Sequence, residues 1–135
     1  MGQFNKLQVW RKAHALALNV YRTAVAMRSP NHASLRTQMI RAAMSIPANI
    51  VEGRSQASER DFCRFLRYAL NSGSELEYHL TLARDIQAIS LSDATSLLDQ
   101  TIEVIKMLRG LIKSVSKTDN PDPANQLSRR STATS

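Results

Sequence analysis

The chain has 135 residues and a formal net charge of +7, with 43% hydrophobic and 5% aromatic residues. This length and hydrophobic content suit one domain with a buried core, and the scarcity of aromatic residues favours helices over a β-sandwich. No signal-peptide pattern and no apolar run of about 18 residues occurs, so a cytoplasmic protein without a membrane span is expected. The single cysteine, Cys63, excludes an internal disulfide and is expected to be a small buried side chain.

The first two predicted helices are separated by a turn that contains a proline. Apolar residues recur every three or four positions over residues 7–27, which predicts an amphipathic helix. Ser29-Pro30-Asn31 then predicts a turn, because proline disfavours helix in the residue before it. A second helix is expected over residues 34–52, with Gly53 as the glycine that follows its C-terminus.

Pro47 lies inside this second helix and predicts a kink. Proline has no backbone N–H, so it removes the hydrogen bond to the carbonyl of Ala43 and crowds that turn. The apolar and polar faces keep the same phase on both sides of Pro47, and Ile46 would be a poor N-cap. The sequence therefore predicts one continuous, kinked helix and not two short ones.

The second helix also carries a narrow row of polar side chains. At 100° per residue these side chains fall within roughly 80° of one another, while about 200° of the helix is apolar. A helix so enclosed is expected to be central, and its polar groups must then bond to one another or to a neighbouring helix, with Glu75 and Glu77 as candidate partners for Arg41. A catalytic cluster is the alternative, but a structural network is predicted. We call this row the polar seam: Gln38, Arg41, Ser45, Asn49 and Glu52.

The third predicted helix covers residues 59–89 and begins at a cap formed by Ser58 and Asp61. Its apolar residues alternate steps of four and three, which is typical of helices that pack at a shallow angle. Gly73 interrupts this apolar stripe. Because glycine costs about 1 kcal/mol relative to alanine inside a helix, a close approach of a neighbour is predicted there.

The fourth predicted helix covers residues 93–115, after a turn and cap at residues 90–93. One apolar row suffices for the core of a helical bundle, and a second row formed by Leu97, Val104 and Leu111 predicts a subunit interface. The polar residues after Lys117 are too poor in apolar groups to fold alone. The predicted organisation is a helical bundle over residues 1–115 and a disordered tail over residues 116–135.

Positive charge is concentrated in the first half of the chain. Residues 1–54 contain eight basic residues and one acidic residue, which points to a polyanionic partner. Arg60, Arg64 and Arg67 share one face of the third helix; such a row suits phosphate contacts, although a solvated face is the alternative. The candidate nucleic-acid-binding residues are Arg11, Lys12, Arg22, Arg54, Arg60, Arg64 and Arg67.

No pattern of catalytic or metal-binding residues is found. His14, His32 and His79 lie in three different predicted segments, and none has a partner histidine at the i, i+4 spacing of a helical metal motif. The sequence contains no phosphate-binding glycine loop and no nucleophile elbow. We therefore expect no catalytic residues, no metal and no cofactor, and a protein that is not an enzyme.

Three blocks of the sequence resemble a known bacterial family. The segments FNKLQVWRKAHALALNVY, LRTQMIRAAMSIPANIVEG and FLRYALNSGSELEYHL resemble the S23 family, whose members are encoded in intervening sequences of 23S ribosomal RNA genes. The resemblance covers residues 4–115, and SIPANIVEG and GSELE are its most specific motifs. It implies an antiparallel up-down four-helix bundle that assembles into a homopentamer with a basic surface. It also implies kinship with the accessory variability determinants of diversity-generating retroelements, which bind a reverse transcriptase and nucleic acid.

Two functions remain open at this point. The first is an oligomeric protein that binds RNA or DNA through its Arg and Lys side chains, with an affinity that falls steeply as salt rises. The second is a scaffold that docks onto a partner protein such as a reverse transcriptase. The choice between RNA and DNA, the protein partner and the biological process are not determined by the residues.

Overall fold

The structure, a computed structural model, describes residues 5–119. No β-strand occurs in this range, so the predicted all-α class is confirmed. The predicted helix boundaries agree with the observed ones to within a few residues. The described helices are α1 (Lys6–Val25), α2 (Ala33–Arg54), α3 (Glu59–Asp85) and α4 (Leu91–Asp119), with one turn of 3-10 helix at Pro30–His32.

The four helices form a bundle in which neighbours along the chain run in opposite directions. α1 contacts α2 and α4, and α3 contacts α2 and α4, so α1 and α3 lie on one diagonal. The antiparallel register is visible in two contacts: Ser45 Oγ lies 2.7 Å from Ser72 Oγ, and Cys63 Sγ lies 3.6 Å from Ser116 Oγ. Because short connections join long helices, this up-down arrangement is the simplest way to bury four apolar stripes together.

The core contains large side chains from all four helices, including Leu16, Ile46, Leu66 and Leu108, which are fully buried. The second apolar row of α4 also belongs to this core, since Leu97, Val104 and Leu111 are 2–4% exposed. The prediction that this row forms a subunit interface is therefore wrong. A helix that faces two neighbours and the bundle centre needs a wide apolar arc within its own chain.

Serine side chains cap the last two helices as predicted. Ser58 Oγ accepts a hydrogen bond from the backbone N–H of Asp61 at 3.1 Å, and Ser90 Oγ accepts one from Asp93 N–H at 3.0 Å. Each cap satisfies an N–H group that has no partner inside the helix. α3 therefore begins at the predicted residue 59, and α4 begins at Leu91, two residues before its predicted start.

α3 ends at Asp85, earlier than the predicted residue 89. Gln87 has φ 60°, and its N–H donates to the carbonyl of Arg84 at 3.1 Å, while Ala88 N–H donates to the carbonyl of Ala83 at 2.8 Å. These two bonds form a Schellman motif, which normally places glycine at the left-handed position. With glutamine there, the sequence contains no glycine signal for the end of the helix.

Both helical glycines accommodate a neighbouring side chain. A Cβ at Gly73 would lie 3.0 Å from Ile105 Cγ1, so the predicted close approach is confirmed. Gly53 belongs to α2 and does not follow its C-terminus, contrary to the prediction. A Cβ at Gly53 would lie 2.8 Å from Phe62 Cδ1 and 2.9 Å from Phe65 Cβ. Gly53 is therefore required by the packing of α3 against the end of α2.

α2 is continuous through Pro47, which is buried. Its N-terminal end is held by Arg36, whose Nε donates to the carbonyl of Met27 at 2.8 Å. The Nη2 group of Arg36 donates to the same oxygen and, at 3.0 Å, to the carbonyl of Ser29. One guanidinium thus satisfies two carbonyls of the connection between α1 and α2.

α4 extends to Asp119, so residues 116–119 continue a helix where the sequence predicts the start of a tail. The remainder of the predicted tail, residues 120–135, lies outside the described residues. Of the helices described, none combines the length and apolarity that crossing a membrane requires.

Candidate nucleic-acid interface

The structure distributes the seven predicted nucleic-acid-binding residues over two sides of the bundle. Because α1 and α3 lie on a diagonal, the basic residues of α1 and those of α3 do not form one continuous patch. Arg54 is exposed at the end of α2, close along the chain to the start of α3. The remaining six divide into an α1 group of Arg11, Lys12 and Arg22 and an α3 group of Arg60, Arg64 and Arg67.

The arginines of the α3 group are all exposed on the outer side of that helix. Arg64 lies 3.8 Å from the carboxylate of Asp61, and its guanidinium lies 5.3 Å from the centre of the Phe65 ring. Arg60 and Arg67 make no ion pair within residues 5–119. The group therefore retains most of its charge, since one exposed carboxylate neutralises little in water.

α4 adds four basic residues that the sequence analysis missed. Residues 106–117 contain four basic residues and no acidic residue, and all four basic side chains are exposed. The contacts of Cys63 with Ser116 and of Gly73 with Ile105 set the register, so the end of α4 lies beside the start of α3. We call the combined surface the basic face: Arg60, Arg64 and Arg67 of α3 with Lys106, Arg109, Lys113 and Lys117 of α4.

The basic residues of α4 were not predicted to bind nucleic acid because the fourth predicted helix has equal numbers of acidic and basic residues. Its acidic residues all lie in the first half and its basic residues in the second half. Cations near a helix C-terminus are also stabilised by the helix dipole, so this segregation has a structural reason as well. The spacing of Lys106, Arg109, Lys113 and Lys117, in steps of three and four, is the signal that would have identified this row.

The basic residues of the α1 group are less available. Lys12 Nζ lies 3.5 Å from Glu103 of α4. Arg22 and Asp93 both line a small polar pocket between α1 and α4, of about 280 Å³. Arg11 is exposed and makes no ion pair in the described part of the chain. In a single copy of the chain, this group is therefore a weaker phosphate site than the basic face.

The polar seam of α2 is partly a structural network. Ser45 Oγ and Ser72 Oγ of α3 are 2.7 Å apart, and Asn49 Nδ2 donates to Ser45 Oγ at 3.0 Å and to the Ser45 carbonyl at 2.8 Å. These three side chains are half-buried between α2 and α3. The predicted bonding to a neighbouring helix is confirmed at this point.

The other members of the seam do not join this network. Gln38 is half-buried, and its side chain makes no hydrogen bond within residues 5–119, while Arg41 and Glu52 are exposed. The expected pairing of Arg41 with Glu75 or Glu77 is not formed. Glu75 lies instead 3.8 Å from His79 Nε2, a buried nitrogen without a hydrogen-bond partner among the described atoms.

An apolar groove runs between α1 and α2 on the side of the bundle away from the basic face. It has a volume of about 650 Å³, and Pro47 forms part of its floor. The rings of Trp10 and His14 stack in one wall, with centroids 5.0 Å apart. We call it the α1–α2 groove; its lining residues are Trp10, His14, Ala17, Leu18, Tyr21, Met44, Pro47, Ala48, Val51 and Glu52.

The described residues contain no group of three His, Cys, Asp or Glu side chains that could hold a metal ion. Cys63 is buried, as predicted. His14 is stacked on Trp10, His32 lies in the 3-10 turn and His79 lies beside Glu75 on α3, so the three histidines are on three different elements. Two exposed surfaces described above are candidates for binding a partner: the basic face and the α1–α2 groove.

Comparisons with known proteins identify the family. The model of the 23S rRNA-intervening sequence protein family matches residues 5–110. A crystal structure of a protein of unknown function from the S23 ribosomal protein family of Bacteroides thetaiotaomicron is similar, with 29% sequence identity and a TM-score of 0.71 over 78% of this chain and 98% of that one. No curated protein matches the sequence. The match over most of the bundle shows that the chain belongs to the family of 23S rRNA-intervening sequence proteins.

Proposed function

We propose that the protein is a non-enzymatic, oligomeric protein of the cytoplasm that binds RNA or DNA through its basic face. The observation that carries this proposal is the convergence of α3 and α4, which brings seven exposed basic side chains onto one side of the bundle. Asp61 is the one acidic residue in contact with them among the described residues. Such a density of unpaired positive charge attracts a polyanion, and binding releases the counterions condensed on the nucleic acid.

The geometry of the basic face suits the phosphate backbone more than the bases. The row from Lys106 to Lys117 spans about 16 Å at 1.5 Å per residue, which is the length of several nucleotides. Its side chains are long and flexible cations on a smooth helical surface, and base readout normally needs an element that enters a groove or an aromatic platform. The proposed binding is therefore largely independent of sequence.

Assembly would increase the affinity by repeating the basic face. We propose a homopentamer, in which several copies of the face engage one nucleic acid and the second contact becomes intramolecular. In such an assembly the basic residues of α1 and Arg54 add phosphate contacts to those of the basic face. We also propose a bend in α2 at Pro47, because proline has no N–H to donate to the carbonyl of Ala43.

Binding of short RNA and DNA duplexes over a salt series tests the proposal. Replacing Arg67, Arg109 and Lys113 by Gln removes three charges from the basic face, and we expect the affinity to fall about 10- to 100-fold at low salt with a shallower salt dependence. The matched control removes three charges from α1, through Arg11→Gln, Lys12→Gln and Arg22→Gln.

The control variant should lose less affinity than the basic-face variant. Equal losses would extend the contact surface to α1, in agreement with the full predicted set. Wild-type protein that binds neither duplex, or binds with an affinity that does not change with salt, would contradict the proposed function. Circular dichroism on each variant separates lost binding from lost folding.

A second candidate function is a scaffold or accessory subunit for another protein, such as a reverse transcriptase. The α1–α2 groove favours it, since an open apolar groove between two helices suits a helix of a partner. Co-purification from native cells at moderate salt, with wild-type protein and with Met44→Glu, tests it. A protein partner retained by the wild type and lost by the variant supports this role. A reverse transcriptase gene next to this one would favour it further.

A further inference from the structure

Three ring-bearing side chains of α1 line the α1–α2 groove. The rings of Trp10 and His14 are nearly parallel, with an interplanar angle of 5°. Tyr21 lines the same groove further along α1 and is 51% exposed. From Trp10 to Tyr21 the helix rises about 16 Å, so this wall has room for several flat rings in succession.

The floor and the opposite wall of the groove are apolar. They are formed in part by Met44, Pro47 and Val51 of α2, and Met44 and Val51 are more than half exposed. The volume of about 650 Å³ lies within the range of roughly 300–1,000 Å³ in which small organic groups bind. Such a surface favours the face of a flat ring and disfavours a phosphate, because a charge is costly to move from water onto apolar groups.

The rims of the groove carry exposed arginines. Arg11 and Arg22 lie on the same side of α1 as Leu18, at helical spacings of seven and four residues. Arg41 precedes Met44 by three residues, which is about one turn of α2. None of the three arginines makes an ion pair within residues 5–119, so both rims are free to contact an anion.

Few acidic groups oppose these arginines. α1 contains no acidic residue, and α2 contains only Glu52, which lines one end of the groove. Glu59 of α3 and Glu103 of α4 reach α1, but each already lies near a lysine, at 3.9 Å from Lys6 and 3.5 Å from Lys12. A helix of a partner protein would need only the apolar floor, whereas aromatic rings beside basic side chains are typical of sites for single-stranded nucleic acid.

We propose that the α1–α2 groove binds unpaired bases of a single-stranded nucleic acid. The bases stack on the Trp10 and His14 pair and on Tyr21, while the phosphates stay outside and contact the arginines of the two rims. The carboxylate of Glu52 repels phosphate and accepts a hydrogen bond from the amino group of a base, which favours the same orientation.

This inference rests on the nucleic-acid binding of the proposed function and adds a substrate class to it. The basic face contacts only the backbone, so it accepts duplexes and single strands alike. The groove accepts single strands alone, because the bases of a duplex are stacked inside the helix and do not reach a protein surface without being flipped out.

Trp10 provides a signal that is specific to the groove, because it is the single tryptophan of the chain. Short single strands of DNA and RNA should quench its fluorescence, since a base then stacks against the aromatic pair. An abasic strand of the same length carries the same phosphates without bases. It should bind about 10-fold more weakly and leave the fluorescence of Trp10 unchanged.

Replacing Tyr21 tests the stacking by a second measurement. Tyr21→Leu keeps an apolar side chain at a half-exposed position and removes the ring, so single-strand affinity should fall about 5- to 20-fold while duplex affinity is unchanged. Tyr21→Phe keeps the ring and should bind as the wild type does. Tyr78→Leu, which changes an exposed tyrosine of α3 outside the groove, is the matched control and should also bind as the wild type does. Circular dichroism checks the folding of each variant.

Equal affinities for the base-bearing and abasic strands would overturn the inference, as would a loss in Tyr78→Leu as large as that in Tyr21→Leu. Duplex binding by a protein whose Trp10 fluorescence does not respond to single strands would overturn the inference alone; the proposed function would stand, and the groove would be left to a partner helix. A protein that binds neither single strands nor duplexes would overturn the proposed function as well.

Discussion

The polar seam and the basic face are both rows of polar side chains at helical spacing, but their surroundings in the bundle differ. Ser45 and Asn49 of the seam meet Ser72 of α3 and form short hydrogen bonds. Arg60 and Arg67 of the basic face remain exposed on the outer side of α3, without ion pairs in the described chain. Spacing thus shows which groups share a helix face, whereas the neighbouring helix decides whether those groups serve the fold or a ligand.

The largest expected difference between covered and uncovered groups is between two arginines of α2. Arg36→Ala removes the hydrogen bonds to the carbonyls of Met27 and Ser29, and we expect unfolding to become easier by about 2–3 kcal/mol. Arg41→Ala, which removes an exposed side chain, should change the free energy of unfolding by about 0.5 kcal/mol or less. Urea unfolding measures both, and equal losses would show that Arg41 belongs to the structural network.

Two asparagines provide the next comparison. Asn49→Ala removes the bonds of its amide to Ser45, and we expect a loss of about 1–2 kcal/mol in the free energy of unfolding. Asn71→Ala alters an exposed residue of α3, where the higher helix propensity of alanine should make the change neutral or stabilising by up to about 0.5 kcal/mol.

Asn49→Ala also distinguishes a structural role of the polar seam from a role in nucleic-acid binding. Asn49→Ala should retain its affinity for short duplexes under conditions where the protein is folded, because Asn49 lies away from the basic face. A folded Asn49→Ala protein that has lost nucleic-acid binding would make the seam a functional site and would reverse the comparison.

The smallest expected effect is the coupling between the two serines of the seam. A double-mutant cycle with Ser45→Ala and Ser72→Ala should give a coupling energy of about 0.5–1.5 kcal/mol, since their hydroxyls are 2.7 Å apart. The matched cycle with Ser45→Ala and Ser74→Ala should give a coupling near zero, because Ser74 is exposed on the other side of α3. A similar coupling in both cycles would mean that the hydrogen bond contributes nothing specific.

Local signals explain the parts of the fold that could be predicted. The serine caps at Ser58 and Ser90 and the apolar periodicity depend on residues a few positions apart, and they located the four helices. The end of α3 was misplaced because Gln87 adopts a left-handed conformation that usually requires glycine. Gly53 was misassigned for a related reason, since its role depends on two phenylalanines of the next helix.

The candidate site was harder to predict than the fold. The charge sum over the whole fourth helix is zero and does not show that its second half is basic. The sequence also does not show that α4 lies beside the arginines of α3. The second apolar row of α4 was assigned to an interface because spacing along one helix does not show which other helices of the same chain cover it. Exposed large apolar side chains line the α1–α2 groove instead, among them Tyr21, Met44 and Val51.

By itself the sequence determined four amphipathic helices, their caps, the excess of positive charge and the resemblance to a family, because each of these depends on residue type and local spacing. Only the tertiary structure decided which faces are covered. It paired Ser45 with Ser72, left Arg41 exposed, joined two rows of basic residues into one face and opened a groove between α1 and α2. Burial and charge density depend on which helices are neighbours, and that is a property of the whole bundle.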